Sequence, residues 1–405
     1  MAAVSSARAA AYEVLLRVFE QGAYADRAFR SAAEGLDERE RAFAQRLAYG
    51  SVQRVRTLDH AIETLGRRPV RKLDPPVRAA LRLGAYQLGY TDTAQHAAVN
   101  ESVELVRRAR LERAVAFTNA VMRRLSDGIG PLLESLPDGP LKESYPDWIH
   151  DVFVRVLGEE GALALMRAMN EPLETVVRLV HGESPPGAEP TDVPGAYRVE
   201  RVDEALVAEG RIWPQSRGSQ LAGLCVGAQD GERVLDLCAA PGGKAGQLPG
   251  EVTAVDIDPA RVRELRANLA TMSRSDVQVV EADGTALPQE LDGFDRALVD
   301  APCSGLGVLA QRPDLRWRAT PLPDLQLALL RSAAERVRPG GTILYSVCTL
   351  NPDECEAVVD ASGLSVLPLG GEWPAFMHPS RPEFLLTLPH LHGTSGFFIA
   401  RLAVD

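Results

Sequence analysis

The amino-acid sequence predicts a multi-domain protein in which an all-α helical bundle precedes an α/β domain with a Rossmann-like parallel sheet. Apolar residues recur every three or four positions through residues 1–126, which indicates amphipathic helices that pack on one another. Residues 233–244 form a short apolar run that ends in a glycine turn, and two later predicted strands each end on an acidic residue. A length of 405 residues allows two or three such domains.

The first domain, residues 1–126, is predicted to contain five or six helices joined by short links. Each segment carries apolar side chains on one face, and the segments are separated by glycine, proline or capping residues. The predicted helical segments are residues 9–20, the stretch from the Asp37 cap to Ile62, and residues 75–88, 96–110 and 113–125. Such a set is typical of an independent helical bundle.

The charge is distributed unevenly along the chain. Residues 1–126 carry 21 Lys and Arg against 14 Asp and Glu, an excess of seven positive charges. Because the whole chain has a net charge of -11, the remaining residues carry an excess of 18 negative charges. A basic module on an acidic protein favours contact with nucleic-acid phosphates, although arginines that only solvate helix surfaces would give the same count.

The stretch of residues 127–199 is predicted to connect the two domains. Residues 127–140 are rich in Gly and Pro, which predicts a hinge, and a small helical element is expected to follow it. Residues 182–198 contain four prolines and few large apolar residues, so they predict a loop or a short β element. The α/β domain is expected to occupy residues 200–405.

The glycine turn at residues 233–244 is predicted to bind a nucleotide-like ligand. Glycines let the backbone approach a ligand closely, and the N-H groups at the start of a following helix can contact its polar atoms. The phosphate-binding pattern Gly-x4-Gly-Lys-Ser/Thr is excluded, since Cys238 and Ala245 stand where its first glycine and its hydroxyl would be. The dinucleotide pattern Gly-x-Gly-x-x-Gly is absent as well.

Two acidic residues end the next two predicted strands. Asp256 ends the strand at residues 252–256, at the distance from the turn where Rossmann-like folds bind a ribose hydroxyl. Asp283 ends the strand at residues 277–283 and is suited to hold a polar edge of adenine. For either acid alone, a strand-end cap is the favoured interpretation. Together, after a glycine turn, they indicate an S-adenosylmethionine site.

Two cysteines follow the ends of two later predicted strands. Cys303 comes shortly after a strand that ends at Asp300, and Cys348 directly follows the strand at residues 341–347. Ligands of doubly wound sheets bind at the carboxyl ends of the strands. Both thiols are therefore expected to face the methyl group of the cofactor.

The other cysteines are interpreted as structural. Cys225 and Cys355 are expected to be inert buried residues, and Cys238 to pack within the glycine turn. The chain has no Cys-x-x-Cys pair and its histidines are scattered, so neither a disulfide framework nor a metal site is expected. No apolar run is long enough to span a membrane and no signal segment is visible, which predicts a cytoplasmic protein, and we expect a monomer.

Two thiols at this edge suit methylation of carbon 5 of a cytosine. That carbon becomes nucleophilic only after a thiolate adds to carbon 6, and its proton must be removed afterwards so that the thiolate can leave. An acid near ring nitrogen N3 would stabilise the charge that develops during addition. Cys348, Cys303 and Asp300 meet these three requirements.

Three motifs resemble those of the Sun/NSUN family of RNA cytosine-5 methyltransferases. They are Leu-Cys-Ala-Ala-Pro-Gly-Gly-Lys ending at Lys244, Asp-Ala-Pro-Cys-Ser-Gly around Cys303, and Tyr-Ser-Val-Cys-Thr around Cys348. The resemblance covers residues 200–405, and residues 1–126 are similar to the RNA-binding NusB domain. This combination resembles bacterial members that act on 16S ribosomal RNA. The resemblance implies that the partner is 16S ribosomal RNA and that the target is cytosine 967 of that RNA.

The resemblance also implies roles for individual residues. Cys348 is the implied nucleophile and Cys303 the residue that assists release. The implied cofactor contacts are Cys238, Ala239, Ala240, Pro241, Gly242, Gly243, Lys244, Asp256, Asp283 and Asp300. The chain departs from the family pattern at residues 178–180, where Arg-Leu-Val stands in place of an expected Arg-x-Asn, so that Val180 replaces the Asn. A transfer-RNA methyltransferase and a non-catalytic RNA-binding factor are the alternative functions.

Overall fold

The computed structural model describes residues 4–405, which form two compact units. The first unit comprises the chain up to Val154 together with Glu159–Asn170 and Leu309–Arg318. The second unit comprises Arg155–Gly158, Glu171–Val308 and Ala319–Asp405.

The α-helices are α1 (Ser6–Gln21), α2 (Ala25–Ala32), α3 (Glu38–Gln53), α4 (Val55–Gly66), α5 (Pro75–Tyr90), α6 (Gln95–Arg108), α7 (Glu112–Ser135), α8 (Pro140–Glu143), α9 (Asp147–Ala168), α10 (Glu204–Ala208), α11 (Arg217–Cys225), α12 (Pro259–Thr271), α13 (Leu315–Arg318), α14 (Pro323–Ala334), α15 (Glu356–Ser362) and α16 (Pro389–His392). The strands are β1 (Val176–Leu179), β2 (Glu189–Pro190), β3 (Ala196–Arg198), β4 (Ile212–Pro214), β5 (Arg233–Leu237), β6 (Glu251–Asp256), β7 (Gln278–Glu281), β8 (Phe294–Asp300), β9 (Val337–Val347), β10 (Ser365–Leu367), β11 (Leu385–Thr387) and β12 (Phe397–Ala403).

The first unit is the predicted helical bundle. Asp37 caps a helix as predicted, with its carboxylate accepting the Glu40 N-H at 2.9 Å, and Gly22 ends α1 with φ of 66°. The segment after Asp37 is two helices, because Arg54 separates α3 from α4. Helix α2 lies where the sequence predicts no helix, since only eight residues give too short a periodic pattern.

The hinge predicted at residues 127–140 is wrong over most of its length. Helix α7 continues through Gly128, Gly130 and Pro131 to Ser135. Buried Ile129 extends the apolar face of α7 into the core of the first unit. This packing outweighs the low helix propensity of Gly and Pro, which is the basis of the prediction.

Residues 309–318 belong to the helical unit, although they lie in sequence between the two cysteine motifs. The Arg316 side chain is 1% exposed and its guanidinium lies 3.9 Å from the centroid of the Tyr145 ring. The Trp317 indole N-H donates to the Val52 carbonyl at 2.7 Å. These contacts make the segment part of the core of the first unit.

The second unit contains a mixed sheet in the order β10, β12, β9, β8, β5, β6, β7, with β11 paired to β12. Strands β5 to β9 are parallel, and β12 is antiparallel to β9. Strand β5 pairs with β6 on one side and with β8 on the other, so the chain order reverses there. This confirms the Rossmann-like prediction and places the glycine turn at the topological switch point, where such sheets bind ligands.

A second sheet in this unit has four short strands in the order β2, β3, β1, β4. The predicted loop or β element at residues 182–198 contains β2 and β3, which pair with each other. Within residues 4–405, no helix has both the length and the apolar character needed to cross a membrane.

Candidate active site

The glycine turn leaves β5 at a residue with an unusual backbone conformation. Cys238 has φ of 61°, in the left-handed region that side-chain-bearing residues seldom adopt. Burial raises the pKa of its thiol to about 12, with nearby carboxylates adding to the shift. Cys238 is therefore a neutral thiol held within the turn, as its interpretation as a packing residue requires.

Asp256 supports the turn from the end of the neighbouring strand. Its side chain is 3% exposed, and its carboxylate accepts the Ala240 N-H at 3.2 Å and the Asp258 N-H at 3.1 Å. Asp256, the residue predicted to bind the ribose, thus already holds the backbone of the turn in place. Each carboxylate oxygen keeps further acceptor capacity.

A buried arginine holds the other end of the turn. Arg178 on β1 donates to the Gly243 carbonyl at 3.3 Å and to the Gln215 side chain at 3.0 Å. Burial lowers the pKa of its guanidinium to about 10. Arg178, which lies two residues before the departure from the family pattern at Val180, therefore positions the glycine turn.

A cavity of about 330 Å³ opens beside the turn, within the second unit. The cavity is lined by Trp213, Pro214, Gln215, Ser216, Ser219, Asp236, Ala239, Ala240, Pro241, Gly243, Lys244, Asp300, Ala301, Val308, Cys348 and Phe397. It combines aromatic and aliphatic walls with a few polar groups, which is the usual character of a small-molecule site.

Lys244 and Asp300 form an ion pair in this cavity. The Lys244 ammonium lies 2.8 Å from one Asp300 oxygen, and the Ser346 hydroxyl donates to the other at 2.7 Å. The ammonium also lies 5.1 Å from the centroid of the Phe397 ring. Two opposite charges are thereby fixed next to Cys348, where they can bind the charged ends of an amino-acid group.

The two predicted catalytic thiols are in contact. The Sγ atoms of Cys303 and Cys348 are 3.4 Å apart, and both residues are half-buried. A hydrogen bond from Cys303 lowers the pKa of the Cys348 thiol, and the nearby Lys244 ammonium acts in the same direction. The same hydrogen bond, together with burial, raises the pKa of Cys303 well above its usual range. The pair therefore holds its first negative charge on Cys348.

Four of the predicted cofactor residues do not line the cavity: Cys238 and Gly242 within the glycine turn, and Asp256 and Asp283. Asp256 supports the turn as described, and Asp283 follows the end of β7 by two residues, because that strand ends at Glu281 and not at Asp283. The exposed Asp283 carboxylate accepts the backbone N-H and the hydroxyl of Thr285, which lowers its pKa. The structure thus brings the glycine turn, Asp300 and Cys348 together in one cavity.

Several site residues are not singled out by the sequence. Asp236 lines the cavity from within β5, is 0% exposed and has no hydrogen-bond partner among residues 4–405. Burial, with the charge of Asp300, raises its pKa well above the usual range, so it is a neutral acid. The sequence could have indicated Asp236, because an acid within an apolar strand is unusual. No local pattern distinguishes Trp213 or Phe397.

Among residues 4–405, no cluster of three or more His, Cys, Asp or Glu side chains is arranged to hold a metal ion, and all five cysteines are free thiols.

Comparisons with known proteins agree with both units. The model of the family described as 16S rRNA methyltransferase RsmB/F matches residues 224–403, and that of the NusB family matches residues 5–127. A probable ribosomal RNA small subunit methyltransferase B from Synechocystis is 33% identical over 98% of this chain and 99% of its own length. The chain belongs to the RsmB/F family of 16S rRNA methyltransferases. The Thermus thermophilus ribosomal RNA small subunit methyltransferase B is 35% identical over 87% of this chain and 86% of its own length.

Solved structures share the fold. The crystal structure of PH0851 superposes with a TM-score of 0.82 at 22% identity, over 100% of this chain and 99% of that one. A methyltransferase homolog protein from Pyrococcus horikoshii gives a TM-score of 0.56 at 27% identity, over 66% of this chain and 97% of that one.

As an RsmB/F family member, the protein is an S-adenosylmethionine-dependent rRNA methyltransferase. The residues present fit that cofactor. Backbone from Ala239 to Gly243 lines the cavity without large side chains, and the Lys244 and Asp300 pair matches the carboxylate and ammonium of a methionine group.

Proposed function

We propose that this enzyme methylates carbon 5 of a cytosine in 16S ribosomal RNA, and that the target is cytosine 967, the position implied by its family resemblance. The observation that carries the chemistry is the contact between two thiols in a methyltransferase site, 3.4 Å apart and with unequal acidity. A methyl transfer to a nucleophilic oxygen or nitrogen would need no such pair.

Cys348 is the nucleophile in this proposal. Its thiolate forms a bond to carbon 6 of cytosine, and the displaced electron pair moves to carbon 5 and the ring nitrogen N3. The lowered pKa of Cys348 increases the fraction of its thiol that is present as thiolate. The bound cofactor supplies an electrophilic methyl group, which carbon 5 accepts. Asp300 lies in the same cavity and orients Lys244 towards this region.

Cys303 completes the reaction. Carbon 5 must lose its proton before the bond between carbon 6 and the Cys348 sulfur can break and restore the ring. The hydrogen bond to Cys348 is the largest cause of the raised pKa of Cys303, and it is lost when the Cys348 sulfur bonds to carbon 6. Cys303 can then release its own proton to solvent and become a thiolate. Cys303 is therefore suited to accept the carbon 5 proton, and the Cys348 thiolate leaves with the electrons of the sulfur-carbon bond.

The helical unit is proposed to bind the RNA. A basic patch lies around the end of α4 and along α7, and none of its members forms an ion pair within residues 4–405. The basic patch consists of the exposed residues Arg67, Arg68, Arg71, Lys72, Arg123 and Arg124. The Arg68 guanidinium lies 5.5 Å from the centroid of the Phe117 ring of α7, so the two parts are neighbours. Unpaired exposed arginines can contact phosphates without breaking existing bonds.

Bisulfite sequencing of 16S rRNA from cells with and without this gene tests the substrate and the chemistry together. We expect protection of cytosine 967 only where the gene is present. Transfer RNA sequenced from the same cells is the comparison. Protection there, with 16S rRNA unchanged by the deletion, would contradict the proposed substrate.

The contribution of the basic patch can be measured in the full-length protein. Replacing Arg67 and Arg68 by Glu should weaken RNA binding and make it less salt-dependent, by about one unit of log-log slope for each phosphate that the variant no longer neutralises. Arg39→Glu is the control, because Arg39 is exposed on α3 outside the patch. If the unchanged protein, the variant at Arg67 and Arg68, and Arg39→Glu bind RNA with equal affinity and equal salt dependence, the basic patch does not contribute to RNA binding.

A further inference from the structure

A buried carboxylate lies behind the two thiols. Glu354 is 0% exposed and forms no ion pair among residues 4–405. One of its oxygens accepts the Ser304 N-H at 2.9 Å, the Leu322 N-H at 3.1 Å and the Gln326 side-chain N-H at 3.0 Å. The carboxylate is thus held entirely by neutral donors.

Its second oxygen contacts both thiol loops. It accepts the Ser304 hydroxyl, and the Thr349 hydroxyl lies 3.4 Å from it. The two hydroxyls are themselves 2.8 Å apart. Ser304 directly follows Cys303, and Thr349 directly follows Cys348. A single side chain therefore ties together the residues next to each catalytic sulfur.

The charge at this position requires an explanation, because burying a carboxylate costs much more than burying a neutral group. A neutral amide or hydroxyl could join two loops at a lower desolvation cost. The number of donors around Glu354 shows that the fold compensates the charge and does not avoid it. The negative charge lies close enough to raise the pKa of Cys303.

We propose that Glu354 is a positioning residue that sets the spacing of the two thiols and keeps the shared proton on Cys303, so that Cys348 is the thiolate. The proposal rests on the two-thiol mechanism proposed above. Glu354 does not line the cofactor cavity, so it acts through the thiols.

Two variants separate the length of the Glu354 side chain from its charge. Glu354→Gln keeps the length of the side chain and loses the charge, whereas Glu354→Asp keeps the charge and loses one methylene of reach. Asp353→Asn is the matched control: it removes a neighbouring charge that faces Arg155 at 3.1 Å and does not contact either thiol loop through its side chain.

The first measurement needs no RNA. Iodoacetamide labelling near pH 7, resolved by peptide mass spectrometry, gives the ratio of Cys348 to Cys303 modification. In Glu354→Gln this ratio should fall about tenfold, the change expected for about one unit of relative pKa shift. In Glu354→Asp and Asp353→Asn it should stay near that of the unchanged protein. General loosening of the fold would raise both labelling rates and would not reverse their preference.

The second measurement is methyl transfer to RNA. The kcat of both Glu354 variants should fall about tenfold or more, while KM for RNA and cofactor affinity by calorimetry change less than about twofold. If Glu354→Gln does not fold, Ser304→Ala, which removes one donor, should show the same selective loss of kcat. An unchanged labelling ratio together with an unchanged kcat in Glu354→Gln would overturn the proposal.

The two proposals fail in different ways. If the unchanged protein produces no 5-methylcytosine, the proposed function is wrong, but the labelling ratio still reports on Glu354. If methylation occurs normally and only the ratio and kcat are insensitive to Glu354, the positioning role alone is wrong.

Discussion

The site has two sides that are built differently. The cofactor side is centred on one continuous stretch, residues 238–244, with Asp256 and Arg178 bracing its backbone. The thiol side is assembled from separate loops that Glu354 joins. A continuous loop depends on local backbone geometry, whereas the thiol pair depends on the relative placement of distant residues. The two sides should therefore respond differently to substitution.

The largest effect is expected on the thiol side, from Cys348→Ala. Loss of the nucleophile should reduce methyl transfer by a factor on the order of 10⁴ or more and prevent any covalent adduct with RNA. Cofactor affinity, measured by calorimetry, should be nearly unchanged, because the glycine turn does not depend on the sulfur. A large loss of affinity would show that the two sides are not separate.

Cys303→Ala should reduce turnover about 100-fold or more and allow the adduct to accumulate. The nucleophile is still present, but the carbon 5 proton has no acceptor, so the methylated RNA stays attached to Cys348. Denaturing electrophoresis with RNA and cofactor measures this directly. A persistent adduct in Cys348→Ala and none in Cys303→Ala would mean that the two roles are reversed.

On the cofactor side, Asp256→Ala should weaken cofactor binding by about 2 to 4 kcal/mol. The change removes the acceptor for the Ala240 N-H. It also removes the carboxylate that is predicted to bind the ribose. Calorimetry measures the affinity, with Asp353→Asn as the control. Equal affinity of Asp256→Ala and the unchanged protein would rule out both roles. The iodoacetamide labelling preference should not change, which separates this side from the thiols.

The smallest effect is expected from Asp236→Asn. Because the pKa of Asp236 is raised, the folded protein holds a proton that the unfolded chain, with a pKa of about 3.9, releases. The free energy of unfolding of the unchanged protein therefore decreases as pH rises above about 4 towards the folded-state pKa. Asn does not titrate, so Asp236→Asn should gain stability relative to the unchanged protein, measured by urea unfolding, as pH rises above about 4. A stability difference independent of pH would contradict the neutral state.

The difference between the two sides also explains what the sequence could predict. The glycine turn, the parallel strands that follow it and the positions of Cys303 and Cys348 all follow from local patterns, and the structure contains them. Glu354 is one of three acids in the Asp-Glu-Cys-Glu stretch after Pro352, and no local pattern shows that its donors come from residues up to 50 positions away.

The helical unit gives the same lesson. Caps and apolar faces predict most of its helices, but the continuation of α7 depends on packing that only the tertiary structure provides. The Arg-Pro-Asp-Leu-Arg-Trp stretch at residues 312–317 lies between the two cysteine motifs in the sequence. Its partners, including Val52 and Tyr145, are far away in sequence and no local pattern predicts them.

That stretch also affects how the protein can be divided. A fragment that ends after α9 would lack Arg316 and Trp317, and would leave the Tyr145 ring and the Val52 carbonyl without them. A fragment that begins after α9 would carry both side chains without the core in which they are buried. No single cut in the chain produces two intact folding units, so shuffling or separate expression of these halves requires residues 309–318 to be supplied to the helical part.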